Sequence, residues 1–285
     1  MMKKYNIPVR SIQALKNITP QDDSLNNKTG RIILQGGRVI DPKNQIDKVT
    51  DIVAEDGIIT EVSENIERLP SDRVINCEGL VVMPGLFDMH LHLGDLFDIY
   101  ESPVFKAARD GATLGFSPGA GNTFMAPALL GAEVDRGLPL NVGVFLGGAA
   151  VLASRLNEAE LIALFTKQLD DEVMAQKLTR NAITNSTAHL TVGIKDHMGH
   201  FIMSDEDIHA LFDITSQSGL MYMSHTQDPE HAVRMVELSK GRPLHLAHAT
   251  AAGCCTHAGG FEGMREVISL IDGGQVTAEF VSSML

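Results

Sequence analysis

The chain has 285 residues, a formal net charge of −13 and 44% hydrophobic residues, which is enough apolar material for one large core. The acidic balance argues against a surface that neutralises phosphates, so no nucleic-acid partner is predicted. The three cysteines give no disulfide framework, and neither a signal-peptide core nor an apolar run of membrane-spanning length occurs. We therefore expect a cytoplasmic protein with no membrane partner.

The first third of the chain divides into an arm and a β-rich segment. Residues 1–30 show no strong periodicity, and we predict an irregular N-terminal arm there. Residues 31–80 hold short apolar runs separated by turn residues, and two of these runs flank Asp56-Gly57, a dipeptide typical of hairpin turns. The sequence therefore predicts a small all-β module over residues 31–80.

From residue 81 onward, apolar runs of strand length alternate with helical stretches. Ser204 followed by Asp207 predicts a helix start, Pro229 and Gly241 bracket a second helix, and a third is predicted over 261–272. Strand and helix in alternation indicate a parallel sheet, and seven such strands favour a TIM-like (β/α)8 barrel in the α/β class. The predicted strands are 81–91, 112–117, 140–146, 189–195, 220–225, 243–248 and 275–281.

The predicted barrel domain, residues 81–285, is one strand short. A (β/α)8 barrel usually takes about 250 residues, and the seventh predicted strand runs into the apolar end of the chain at Leu285. We therefore expect a barrel that is incomplete at its C-terminus before strand eight, as a fragment or as a natural truncation. The unpaired edges of such a barrel predict low stability.

Five side chains that can bind metal fall at the ends of predicted strands. Histidines two residues apart share one face of a strand, and active sites of such barrels lie at the carboxyl ends of the strands. Taken singly, each has an ordinary explanation, as a loop histidine, a snorkelling lysine or a core histidine. We call these five residues the strand-end cluster: His90, His92, Lys195, His225 and His248.

The lysine of this cluster allows a more specific hypothesis. A lysine in an apolar pocket has a lowered pKa and could react with carbon dioxide. The resulting carbamate has two oxygens and could bridge two divalent metal ions. Five such residues are not expected to fall together at the strand ends of a barrel by chance, so we favour a metal site over five separate incidental residues.

Other residues near the strand ends are weaker candidates. His245, three residues before His248, is expected on the opposite face of its strand and is not predicted as a ligand. Asp88, Asp228 and His231 are predicted to support ligands rather than to bind metal. Two glycine-rich stretches, Gly115–Gly121 and Gly147-Gly148, could be substrate loops or plain turns, and the sequence favours neither. Cys254, Cys255 and His257 are interpreted as small loop residues rather than as a thiol or metal site.

Several segments together resemble a known family. PGLFDMHLH resembles the signature of the amidohydrolase superfamily, particularly its dihydroorotase and hydantoinase branch, and VGIKDHMG resembles the carbamylated-lysine strand of its deacetylase-like members. HTQDPEH, LHLAHAT and VTAEFVSSML resemble the motifs of the fifth, sixth and seventh strands. The resemblance covers about residues 31–285.

This resemblance implies a binuclear metal site. His90 and His92 would bind one divalent ion, His225 and His248 the second, and carbamylated Lys195 would bridge the two. Zinc is the implied metal, since imidazole and oxygen ligands suit it.

The implied activity is hydrolysis of an amide C–N bond, cyclic or not, in a small-molecule substrate by metal-activated hydroxide. Within the same chemistry the alternative is a deacetylase or esterase that acts on a small N- or O-acylated acid. The alternative of another class is a non-catalytic amidohydrolase-like scaffold. The sequence leaves open whether the chain forms a homo-oligomer.

The sequence departs from the family pattern in three places. The acid/base aspartate of strand eight is expected beyond Leu285, so no catalytic residue can be assigned. Gly94 stands where dihydroorotases usually carry an arginine that holds the substrate carboxylate, which argues against dihydroorotase activity itself. Ser282, Ser283 and Met284 replace the Pro-His-His that often follows strand seven in dihydroorotases.

Overall fold

The structure is a computed structural model, and it describes residues 30–92, 103–118, 122–135, 137–196, 203–226, 228–249 and 260–279. Contacts divide the chain into two compact units, with the boundary between Leu86 and Phe87. This boundary lies later than the predicted one at residue 80. Apart from Gly30, the predicted N-terminal arm lies outside the described residues.

The smaller unit is a five-stranded sheet with the order β3-β2-β1-β4, in which β5 also pairs with β1. Strands β2 and β3 form the predicted hairpin, and both turn residues, Asp56 and Gly57, have positive φ angles of 50° and 80°, as a two-residue hairpin turn of this kind requires. The strands are β1 Arg31–Asp41, β2 Ile46–Glu55, β3 Ile58–Ser63, β4 Arg73–Asn76 and β5 Val81–Val82, and a short 3-10 helix, Pro42–Asn44, follows β1.

The predicted single strand over 81–91 was wrong, because two strands lie in this range. Val81–Val82 pairs in parallel with β1 of the smaller unit, whereas Leu86–Asp88 is an edge strand of a second, seven-stranded sheet. Pro84 and Gly85 stand between the two strands. Proline cannot donate a ladder hydrogen bond, so the apolar run changes from one sheet to another at this point.

The larger unit contains the seven-stranded sheet with the order β12-β11-β10-β9-β8-β7-β6, so each strand neighbours the next one along the chain. The pairings from β7 to β12 are parallel, as predicted from the alternation of strands and helices. The strands are β6 Leu86–Asp88, β7 Ala112–Ser117, β8 Asn141–Gly147, β9 Gly193–Asp196, β10 Met221–His225, β11 Leu244–Ala247 and β12 Val276–Ala278.

Nine helices of the described chain connect these strands. Ser204 caps α7 with a reciprocal bond to Asp207. α8 begins at Pro229 and ends at Ser239, and the left-handed Lys240 caps it. Both predicted helices are thus confirmed. The helices are α1 Pro103–Arg109, α2 Ala126–Asp135, α3 Gly148–Leu152, α4 Glu158–Phe165, α5 Asp171–Lys177, α6 Ala182–Thr187, α7 Asp205–Ser218, α8 Pro229–Ser239 and α9 Gly260–Leu270.

The predicted strand over 189–195 was wrong in its first half. His189 and Leu190 belong to a 3-10 helix, Ala188–Leu190, that continues α6, and β9 begins only at Gly193. A Cβ at Gly193 would lie 2.4 Å from the Phe145 ring and 2.5 Å from the Met221 carbonyl oxygen. This glycine therefore lets β9 enter between β8 and β10, and the strand continues through Lys195 to Asp196.

The core lies on both sides of the seven-stranded sheet. Alternate strand residues belong to a large cluster shared with the helices, including Leu146, Ile194, Tyr222 and Leu246. The residues between them pack against each other on the opposite face, including Phe145, Met223 and Ala247. The second face is the one that also carries the polar residues described next.

Candidate metal centre

Strand register places four residues of neighbouring strands in one row. Lys195 pairs with Met223, Met223 with His245, and His245 with Thr277. Residues paired in this way point to the same face of a sheet. His225 lies two residues after Met223 and faces the same side. The row therefore brings β9, β10, β11 and β12 to a common polar site.

The His90 and His92 pair follows β6. Their Nε2 atoms are 3.2 Å apart, and the intervening Leu91 donates its N–H to the Phe116 carbonyl at 2.8 Å. The Asp88 carboxylate accepts the backbone N–H of His90 at 3.0 Å. Asp88 thus contacts the backbone of His90, and the two imidazoles share one face as the spacing predicted.

Lys195 is almost fully buried, with 1% of its surface exposed. Its Nζ lies 3.1 Å from His90 Nε2. Burial lowers the pKa of Lys195 to about 8, although the negative charges of Glu279 and Asp196 act in the opposite direction. A buried amine of this kind is the environment that the carbamate hypothesis requires.

His248 joins the remaining histidines of the strand-end cluster. Its ring centroid lies 4.4 Å from that of His90 and 4.7 Å from that of His225. Burial, together with the neighbouring His90, Lys195 and His225, lowers the pKa of His248 to about 3. The imidazole is therefore neutral, which is the protonation state of a metal ligand. The structure thus brings all five residues of the cluster together, while their role as ligands stays a prediction.

The fixed backbone of His225 depends on a residue that the sequence did not single out. Asp196 is fully buried, its Oδ1 accepts the N–H of His225 at 2.9 Å, and its Oδ2 accepts the Tyr222 hydroxyl at 3.0 Å. Burial raises the pKa of Asp196 to about 6, although its hydrogen bonds act in the opposite direction. Asp196 thereby anchors the end of β10 to the end of β9.

Glu279 was also missed, although it follows β12 directly. One oxygen, Oε1, bonds to His90 Nδ1, and the other, Oε2, lies 3.4 Å from His245 Nε2. Burial tends to raise the pKa of Glu279, but the bonds to His245 and His90 outweigh it and bring the pKa to about 2. Because Glu279 lies two residues after Thr277, strand parity could have placed it on the face of the row.

The predicted face of His245 was wrong. The count from His248 assumed one continuous strand, but β11 ends at Ala247 and His248 has a left-handed φ of 60°. Parity therefore does not extend to His248, and both side chains reach the same site. His245 Nδ1 bonds to Thr277 Oγ1 at 2.8 Å. That His245 is not a metal ligand stays a prediction.

The weaker candidates have mixed outcomes. Asp228 caps α8 by accepting the N–H of His231 at 2.6 Å, and His231 Nε2 lies 3.4 Å from Ser224 Oγ. A Cβ at Gly148 would lie 2.8 Å from Leu211, so close packing accounts for this glycine. The following candidates lie outside the described residues: Gly94, 119–121, Cys254, Cys255, His257 and 282–284.

The donor set fits divalent metal ions. Within the described part of the chain, His90, His248 and Glu279 each offer a ligand atom, and these atoms lie within 4.8 Å of one another. His248 Nδ1 is buried and has no hydrogen-bond partner among the described residues, an arrangement that costs about 1–3 kcal/mol if nothing binds the nitrogen. Imidazole nitrogens with a nearby oxygen donor are typical zinc ligands.

The parallel sheet, with its connecting helices and the strand-end cluster at one edge, has the architecture of a (β/α) barrel. The L-hydantoinase (dihydropyrimidinase) of Arthrobacter aurescens is similar in fold, with a TM-score of 0.57, 18% identity, and coverage of 87% of this chain and 57% of that one. An N-acyl-D-glutamate deacylase of Bordetella bronchiseptica, solved with zinc, matches with a TM-score of 0.59 and 15% identity, over 87% of this chain and 57% of that one. These likenesses confirm the predicted fold class.

The sequence comparison is more specific. The dihydroorotase of Geobacter metallireducens is 26% identical over 242 residues, which cover 78% of this chain and 56% of that protein. The chain is thus similar in sequence to dihydroorotases and similar in fold to a hydantoinase. It spans about half the length of the curated relatives it matches. No family model matches the chain, and no helix in the described ranges is long and apolar enough to cross a membrane.

Proposed function

We propose that the chain carries the metal centre of a binuclear, metal-dependent hydrolase that cleaves an amide C–N bond, as dihydroorotases and hydantoinases do. The observation that carries this proposal is the convergence of the whole strand-end cluster at the carboxyl ends of the parallel strands. His90 lies within contact of His92, Lys195 and His248, and His248 contacts His225. The match to dihydroorotases supports the same reaction class.

The residues divide the work of metal binding as follows. His90 and His92 would hold one ion, His225 and His248 would hold the other, and Lys195, as a carbamate, would serve as a ligand to both. Burial of Lys195 favours its neutral amine. The amine nitrogen would add to the carbon of carbon dioxide and release one proton to water, which leaves a negatively charged carbamate with two oxygens for metal binding. Bound divalent ions, for which zinc is our choice, would supply Lewis acidity and a water of lowered pKa.

The substrate we propose is a small cyclic amide without a carboxylate on the ring, such as a hydantoin or a dihydropyrimidine. Gly94 offers no positive charge at the position where dihydroorotases usually hold the substrate carboxylate. We assign no general base to a described residue. The intact set of five candidate ligands disfavours a non-catalytic scaffold, and nothing in the site favours a deacetylase or esterase. A cytoplasmic location and a homo-oligomer stay predictions.

The proposal is tested by metal content and ring opening. The full chain, purified and dialysed against zinc and bicarbonate, should hold about two zinc ions, and any ring opening that it catalyses should be faster with dihydrouracil than with dihydroorotate. Lys195→Ala should lose the bridged zinc, whereas the exposed control Lys43→Ala should retain it. A wild-type chain without bound zinc would refute the function, and unchanged zinc in Lys195→Ala would refute the carbamate.

A further inference from the structure

One hydrogen bond of the site joins the two ends of the strand order. β6 and β12 are the first and last strands of the seven-stranded sheet. Nevertheless, His90, which follows β6, bonds through Nδ1 to Oε1 of Glu279, which follows β12. The side chains are 3% and 7% exposed. The residues that follow the two edge strands are therefore joined by a buried side-chain hydrogen bond, whereas no backbone ladder between β6 and β12 occurs among the described residues.

The hydrogen-bonded neighbours of this contact determine its protons. Glu279 is an acceptor only, so the imidazole nitrogens that face its oxygens must each carry a proton. His245 then donates from Nε2 to Glu279, and its Nδ1 accepts from the Thr277 hydroxyl at 2.8 Å. His90 donates from Nδ1, which leaves the lone pair of its Nε2 on the side of Lys195 Nζ and His92 Nε2, at 3.1 and 3.2 Å.

We propose that Glu279 is a positioning residue that fixes His90 as the Nδ1–H tautomer, aims His90 Nε2 at the metal site and links the two edge strands of the sheet. The metal part of this inference rests on the proposed function, whereas the tautomer and the link do not. Carboxylates that hold the second nitrogen of a ligand histidine tune metal affinity in many sites. Here the same group also connects the metal site to β12, at the opposite end of the strand order from β6.

The rival role for Glu279 is direct metal ligation. Its oxygens lie near enough to His90 and His248 for a shared ion. However, each Glu279 oxygen already faces an imidazole nitrogen. The nitrogen that faces Oε2 belongs to His245, whose position in β11 is fixed by its pairing with Met223 and Thr277. A carboxylate held by two donors orients a ligand rather than acting as a mobile ligand itself.

The test replaces the carboxylate by an amide of the same shape. In Glu279→Gln only one oxygen can accept, so one of His90 and His245 must lose its partner or change its tautomer. Imidazole ¹⁵N spectra of the zinc-free full chain, with the His90 signal assigned from a His90→Asn variant, should show a pure Nδ1–H form in the wild type and a mixture in Glu279→Gln. Zinc affinity should fall about 10- to 100-fold, and the exposed control Glu266→Gln should match the wild type.

The outcomes separate the alternatives. An unchanged His90 tautomer in Glu279→Gln overturns the proposal, and it does so even if zinc binding is lost, because that combination indicates direct ligation. If the wild type binds no zinc, the proposed function fails, while the tautomer measurement still decides this inference. If Glu279→Gln does not fold, Glu279→Asp keeps the charge and both oxygens but shortens the reach; it should weaken zinc binding several-fold, and wild-type affinity in that variant would contradict the proposal.

Discussion

Two imidazoles of the strand-end cluster are held in place in different ways. His225 is fixed through its backbone, because Asp196 of the neighbouring strand accepts its N–H at 2.9 Å. His90 is fixed through its ring, because Glu279 from the other edge of the sheet bonds to its Nδ1. The first contact joins adjacent strands, and the second joins strands at opposite ends of the strand order.

We expect the two contacts to control different properties: the Asp196 contact should control the stability of the fold, and the Glu279 contact should control the affinity for metal. A buried contact between adjacent strands helps to hold those strands together, so its loss should destabilise the fold. A side-chain contact to a ligand ring controls the tautomer and orientation of that ring, so its loss should mainly weaken metal binding. The following predictions test this contrast, from the largest expected effect to the smallest.

Replacement of the buried aspartate should give the largest loss of stability. Asp196→Ala leaves the N–H of His225 and the hydroxyl of Tyr222 without their acceptor, and each buried unsatisfied donor costs about 1–3 kcal/mol. We expect the free energy of unfolding in urea to fall by about 3 kcal/mol or more. The exposed Asp171→Ala, at the first turn of α5, should cost less than about 1 kcal/mol. A stable Asp196→Ala chain that has only lost zinc would reverse the contrast.

Removal of one hydroxyl should give a smaller loss at the same point. Tyr222→Phe keeps the fully buried ring but withdraws one donor from Asp196, while the bond to the backbone of His225 remains. We expect a loss of about 1 kcal/mol in urea unfolding and wild-type zinc content. If zinc content falls in this variant, Tyr222 orients His225, and the separation drawn above does not hold for β10.

The same distinction between local and distant contacts decides what the sequence could predict. Periodicity and capping predicted the parallel strands and the helices that begin after Ser204 and Asp228, because these signals lie within a few residues. The strand-end cluster was also predictable, because the carboxyl ends of all the parallel strands of a barrel lie at the same end of it. Asp196 and Glu279 were missed, because their partners lie 29 and 189 residues away in the sequence.

The errors have local physical causes as well. The apolar run after residue 80 hides a change of sheet at Pro84-Gly85, and the run before Lys195 begins in a 3-10 helix rather than in a strand. His245 was assigned to the wrong face because a single left-handed residue, His248, ended the parity of β11. Such changes depend on backbone angles that side-chain patterns do not encode.

The smallest expected effect lies at the far end of the Glu279 network. Thr277→Val keeps the shape of the side chain and removes the hydroxyl that bonds to His245 Nδ1 at 2.8 Å. Because Thr277 is exposed to solvent, water can replace the hydroxyl, and we expect less than about 0.5 kcal/mol in urea unfolding and at most a twofold change in zinc affinity. A larger loss of zinc affinity would mean that His245 must be held at both nitrogens for Glu279 to orient His90. In that case the positioning device would extend across β11 and β12 rather than rest on one carboxylate.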